Sequence, residues 1–167
     1  MNMHTGSVAA DSFKEAMARL AGGVSLVTTR DGQGNPLGMV ATAVASVSAE
    51  PPTVLICVNR SASIYSHLRE QGIFCVNFLA QDHEDLVTRF SSSTARASRF
   101  DGGGWMQRTT GAPVLEDALA SLDCRLESQV ENGTHSVFFG QVLEAKSGAP
   151  RPPLVHFNRG FSGLSAL

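Results

Sequence analysis

Two lysines, one tyrosine, one tryptophan and three cysteines are all that 167 residues hold of those types. Each scarcity excludes something. With only Lys14 and Lys146 and a formal net charge of −2, the chain has no basic stripe of the kind a nucleic-acid binder needs. Its positive charge is nearly all arginine, which suits fixed, bidentate contacts to phosphate or carboxylate. Cys57, Cys75 and Cys124 stand far apart in apolar runs with no CxxC. They read as buried thiols in a reducing compartment, so a cytoplasmic location is expected. No apolar run reaches the roughly 20 residues that span a membrane. Residues 1–11 lack a charged segment followed by an apolar one, so they read as a flexible tail ahead of one domain over 12–167. There is no HxH, HExxH or Cys/His cluster, hence no expected metal site. There is no GxSxG nucleophile turn. Gly32 and Gly34 are too closely spaced, and too deep in a turn, for a Rossmann dinucleotide fingerprint.

What is present is mostly β-pattern. Ser12 with Glu15 predicts a capping box, followed by Phe13, Ala16, Met17 and Leu20 at helical spacing and a stop at Gly22-Gly23. Strands are predicted over 24–29, 38–48, 53–58, 73–79, 122–130, 137–145 and 154–157. A turn cluster at 31–36 separates the first two. Short helices are predicted over 62–71, with Ser61 as cap and Gly72 as end, and over 82–90. The stretch 91–112 reads as a long loop. Asn132-Gly133 predicts a tight hairpin. Six to eight strands with two or three short helices argue for a closed β-barrel rather than a doubly wound sheet.

Four segments carry possible chemistry. In 38–48, the small residues mark close backbone approach, either of another strand or of a flat ligand. Asn59-Arg60-Ser61-Ala62-Ser63 follows a buried strand and precedes a helix. That placement reads either as an anion site or as plain helix capping. Arg89-Phe90-Ser91-Ser92-Ser93, with Arg96 and Arg99, reads as a phosphate clamp or as a solvated basic loop. Gly133-Thr134-His135 puts a histidine at a hairpin tip.

In their order and spacing, Gly38 to Ser48 with Pro51-Pro52, Cys57 to Ser63, Val76-Asn77-Phe78-Leu79, Arg89-Phe90, Arg99-Phe100 with Trp105, and Gly133-Thr134-His135 through Phe139-Gly140 resemble the short-chain flavin reductases. These are the small partners of two-component flavin monooxygenases. The resemblance runs from about Phe13 to Gly163 and is nearest to reductases serving pyrimidine-ring or aromatic-ring oxygenases. It implies a mostly β fold with short helices, an FMN-binding split β-barrel working as a homodimer. It implies FMN or FAD as flavin, NADH or NADPH as reductant, and a flavin-dependent monooxygenase as the receiving partner.

For the site, the resemblance implies that Val40, Ala41, Thr42, Ala43, Val44, Ser46, Val47 and Ser48 lie along the isoalloxazine ring through backbone groups. Cys57, Val58, Asn59, Arg60, Ser61 and Ser63 would hold the ribityl phosphate region, with Asn77, Arg89, Phe90 and Ser91 nearby. Phe157 and Arg159 would border the ring. His135 would contact the nicotinamide. The family usually carries Gly-Asp-His where this chain has Gly133-Thr134-His135, so the carboxylate is missing. It often carries tyrosine where this chain has His156-Phe157. Hydride passes between two cofactors, so no protein acid–base pair is needed. Two other readings compete: a non-catalytic flavin- or haem-binding split-barrel carrier or sensor, and an oxidase of the pyridoxamine-phosphate type, which would favour a more basic pocket.

Overall fold

The computed structural model describes residues 7–102 and 104–164. Most of the predicted tail, residues 1–6, lies outside these. The elements run α1 (Ala10–Met17), β1 (Gly22–Gly23), β2 (Ser25–Arg30), β3 (Pro36–Ala41), β4 (Val44–Ala49), β5 (Pro52–Asn59), α2 (Tyr65–Gln71), β6 (Ile73–Phe78), α3 (Glu84–Ser91), β7 (Trp105–Gln107), β8 (Pro113–Leu115), β9 (Ala120–Asn132), β10 (His135–Ser147), β11 (Val155–Phe157) and β12 (Gly160–Ser162). Single 3-10 turns occupy Gln81–His83 and Arg96–Ser98.

Seven strands form one antiparallel sheet in the order β3-β2-β6-β9-β10-β5-β4. Its two border strands, β3 and β4, are consecutive in the chain. Only Thr42 and Ala43 join them. The sheet therefore curls until its edges nearly meet, leaving a seam where the ladder is open. This corrects the single strand predicted over 38–48: the β-rich run is right, but it changes border at its middle. β1, β11 and β12 form a small sheet beside the seam.

Burial alternates as strand geometry dictates. Val54, Ile56 and Val58 on β5 and Phe138 on β10 point inward and pack with Phe74, Leu68 and Tyr65. Gly140 also faces inward, with Phe74 filling the place a side chain would take. A second cluster joins Leu26, Leu79, Val87, Phe90 and Leu154, with Val40, Phe100 and Trp105 at its margin. Phe90, Phe100 and Trp105 meet at ring separations of 4.8–5.9 Å.

Several local expectations shift. Ser12 lies inside α1, whose N-cap is Ala9 with no side-chain cap bond, so the capping box is not formed. No residue of α1 is buried; its apolar spacing faces outward. Ser61 is not the cap of α2. Three residues intervene before Tyr65, and Ser61 instead folds back on Asn59. Gly72 does end α2, in the left-handed region at φ +65°. The loop at 91–112 contains the 3-10 turn and β7, which pairs with β8. In the hairpin, Asn132 pairs with His135 and the turn residues are Gly133-Thr134. Gly133, at φ +58°, takes the first central place, as a type II′ turn requires.

Candidate flavin site

The seam is the natural place to look. β4 is bonded only to β5, so one side of its backbone is unpaired. The Cys57 N–H donates to the Ala43 carbonyl at 3.1 Å. Antiparallel alternation then turns the backbone groups of Val44 and Ser46 away from β5. They face a cavity of about 730 Å³ bounded by 20–25, Thr42, Val44–Ser46, Val54, Phe78, Leu79, Leu119, Leu122 and 153–154. Gly22 sits against Thr42, where an added Cβ would lie 3.5 Å from the threonine Cβ. A contiguous recess of about 410 Å³ is bordered by Phe13, Met17, Thr42, Ala43, His156 and Arg159. Arg159 stands in a turn with Asn158, both at positive φ, held by the Asn158 N–H donating to the Ala18 carbonyl. The volume, the mostly apolar walls and the free strand edge fit a flat heteroaromatic ring.

The register brings two further predicted segments to this seam. The ladder places Val44 opposite Ile56 and Cys57 against Ala43, so Asn59 lies just past the Thr42 end of β4. Asn59 in turn pairs with His135, and the Arg60 N–H donates to the Thr134 carbonyl. Thus 41–46, 57–61 and 134–135, remote in sequence, are neighbours. Within this group the donors are partly engaged. Asn59 Oδ1 accepts both the Ser61 N–H and its hydroxyl, at 2.9 and 2.8 Å. Arg60 lies 3.5 Å from Glu131 and donates to the Gly133 carbonyl. Ser63 is exposed. His135 is exposed, with Nδ1 at 2.9 Å from the Thr134 hydroxyl. The aspartate is absent before His135, but Glu131 stands on the same hairpin and accepts from Tyr65 and Arg60.

Other expected site residues are placed differently. Asn77 has no exposed surface. It donates to the Leu26 carbonyl and Thr28 and accepts the Leu115 N–H, tying β2, β6 and β8 together. Val58 and Phe90 are core side chains. All three side chains face the core, where apolar packing or a complete hydrogen-bond set holds them. Arg89 pairs with Asp85 at 3.6 Å and donates to the Asp101 carbonyl, on a recess it shares with Asp117. Ser91 ends α3, which packs on β3 through Phe90 and Val40. Val47, Ser48 and Phe157 are exposed along the border.

Burial pushes the Cys75 and Cys124 thiols up, Cys124 to about 12, so neither forms a thiolate at neutral pH. Among the described residues no cluster of His, Cys, Asp and Glu could hold a metal. No helix there is long and apolar enough to cross a membrane.

An antiparallel sheet whose borders meet at an open seam, with a mostly apolar cavity along the free edge, defines a split barrel of the flavin-reductase type. Residues 17–165 match the flavin reductase like domain, and the chain belongs to that family. It is 45% identical over 152 residues to the FMN reductase (NADH) RutF of Agrobacterium fabrum, covering 91% of this chain and 87% of that one. It is 47% identical over 145 residues to the FMN reductase (NADH) RutF 2 of Methylorubrum extorquens, covering 86% and 84%. Among solved structures, BorF, the flavin reductase component of a bacterial two-component tryptophan halogenase, superposes with a TM-score of 0.86 at 33% identity, covering 95% of this chain and 100% of that one. The NADH:FAD oxidoreductase SgcE6 of Streptomyces globisporus, solved with NAD and FAD fragments, gives a TM-score of 0.85 at 28% identity, covering 93% and 92%.

Proposed function

We propose that this chain uses NADH to reduce FMN and releases the reduced flavin to a separate flavin-dependent monooxygenase. The observation that carries the reading is the seam. Register makes neighbours there of 41–46, 57–61 and 134–135, beside a cavity that Thr42 and Val44–Ser46 line, in a chain 45% identical to an FMN reductase (NADH). When both cofactors are bound, the nicotinamide supplies a hydride to the flavin ring, and one proton comes from solvent. The protein orients. The outward N–H and C=O of Val44 and Ser46 meet the ring edge. The apolar walls exclude water from one face. The 59–63 turn receives the phosphate, exchanging the Ser61–Asn59 contacts for contacts to the anion. His135 and Thr134 border the open face, where the nicotinamide stacks. Holding two rings in contact contributes part of the roughly 7–11 kcal/mol that proximity makes available.

The chain is expected to act as a homodimer. The outward face of the sheet carries Leu55, Cys57, Val137 and Phe139, flanked by Val47 and Val130, which are 47% and 56% exposed. Outward-facing α1 adds Phe13 and Met17 beside the seam. Unpaired apolar surface of this kind marks an association site. Sedimentation should give twice the 17.7 kDa chain mass; a monomer at micromolar concentration would reject this. The free thiols suit a reducing compartment such as the cytoplasm.

The deciding assay mixes purified protein with NADH and FMN and follows loss of the nicotinamide absorbance, with FAD and NADPH as parallel arms. Catalytic turnover is expected with FMN and NADH. A tightly held coloured flavin without nicotinamide consumption would point to a carrier instead.

Two variants divide the site. His135→Ala should raise the KM for NADH about tenfold while FMN affinity stays near that of the parent. Parallel loss of FMN binding would assign His135 to the hairpin's structure. Ser61→Ala with Ser63→Ala should weaken FMN binding about tenfold and leave riboflavin, which lacks the phosphate, nearly unaffected. Equal losses would place the phosphate elsewhere.

A further inference from the structure

At the end of β2 remote from the seam lies a second cavity, of about 430 Å³, bordered by Arg30, Phe100, Trp105, Met106, Gln107 and Gly111 among others. β2 has six residues, so this cavity stands about 17 Å from the Ser25 end that borders the flavin cavity. None of the proposed flavin or nicotinamide contacts lines it.

Arg30 is set into this cavity by the backbone. Gly111, at φ +83°, lies under its guanidinium, and a Cβ there would come within 2.8–3.3 Å of the guanidinium atoms. The planar group thus rests on a peptide surface that only glycine leaves bare. Among the described residues no carboxylate lies within ion-pair distance of it. The adjacent Asp31 is occupied otherwise: its carboxylate accepts from the Asn35 side chain and from the backbone N–H groups of Gln33 and Asn35. The rings of Phe100 and Trp105, 4.8 Å apart at 60°, line the same cavity. Gln107 adds an amide at the rim. The separate recess that Trp105 also borders has Asp85, Asp101 and Asp117 alongside His83 and Arg89, and there Arg89 is already paired with Asp85.

A guanidinium so placed, without a carboxylate partner among the described residues and in a cavity with aromatic walls, selects a planar ring bearing a carboxylate. The fork takes the two oxygens, and the ring stacks on the indole and phenyl faces. We propose that this cavity is a binding site for a small aromatic carboxylate, separate from the flavin cleft.

The chain's single tryptophan is Trp105, so intrinsic tryptophan emission reports on this cavity directly. Titration of the purified protein with benzoate should change that emission saturably, and the neutral isostere benzamide should not. Arg30→Gln should weaken benzoate binding about tenfold while retaining NADH:FMN reductase activity, which certifies the fold. Should Arg30→Gln lose that activity, Arg30→Lys gives the answer: it keeps the charge but not the fork, and should bind benzoate several-fold more weakly than the parent. Linear, unsaturable quenching by benzoate, or affinity undiminished in whichever variant stays active, would overturn the proposal.

Discussion

Val44→Pro should leave the barrel folded and reduce FMN affinity about tenfold, with NADH:FMN turnover at limiting flavin falling in step. Val44 lies on a border strand, in a pair whose ladder bonds are made by its neighbours; the Cys57 N–H bonds Ala43 rather than Val44. A proline there removes an N–H that no strand uses. If that N–H meets the edge of the flavin ring, its loss is felt only when flavin binds. Val44→Ala is the companion. It trims a side chain packed against the core but retains the N–H, so it should cost stability and spare affinity. Equilibrium FMN titration and urea unfolding of both variants separate the two effects. Unchanged FMN affinity in folded Val44→Pro would move the ring off this edge.

The largest effect on stability is expected at Gly140. A Cβ there would stand 2.3 Å from Phe74 Cζ and 3.1 Å from Cys124 Cβ, inside the barrel where nothing yields cheaply. Gly140→Ala should cost about 3 kcal/mol, the upper end of ordinary overpacking, and Gly140→Val more. The sign of the coupling tests the cause. Phe74→Leu alone loses packing, but in the Gly140→Ala background it makes room for the methyl group. The double variant should therefore be less destabilised than the sum of its parts. Additive costs would mean that the glycine is needed for the register shift between Phe139 and Gly140, not for space.

Much of this architecture was legible in the sequence. Inward and outward alternation on β5 and β10 follows from apolar periodicity, and Gly72 stops its helix for the reason glycine usually does. What was not legible was long-range. A run of small β-formers at 38–48 has no local mark where it leaves one border of the sheet for the other, because Thr42 and Ala43 suit either conformation. The apolar spacing of α1 is that of a packed helix, yet the face is uncovered in a single chain. Asn77 carries the polarity of a ligand contact, but its hydrogen bonds reach β2 and β8, 51 and 38 residues away. The Asn132-Gly133 signal was displaced by one residue because glycine alone meets the φ demand at the turn. The meeting of 41–46 with 57–61 and His135 depends on register, which pattern alone constrains only weakly. The order and spacing of the segments carried that information as a family likeness.

The two-residue join between β3 and β4 has a further consequence for how this molecule handles its ligand. Elsewhere around the sheet, separating two strands means breaking a row of hydrogen bonds. At the seam there is no row to break, so the barrel can part and reclose there at the cost of side-chain contacts alone. A reductase that passes its flavin on must let it leave every cycle. With the ring lodged along this open line, as proposed, entry and exit would break no ladder hydrogen bond between strands.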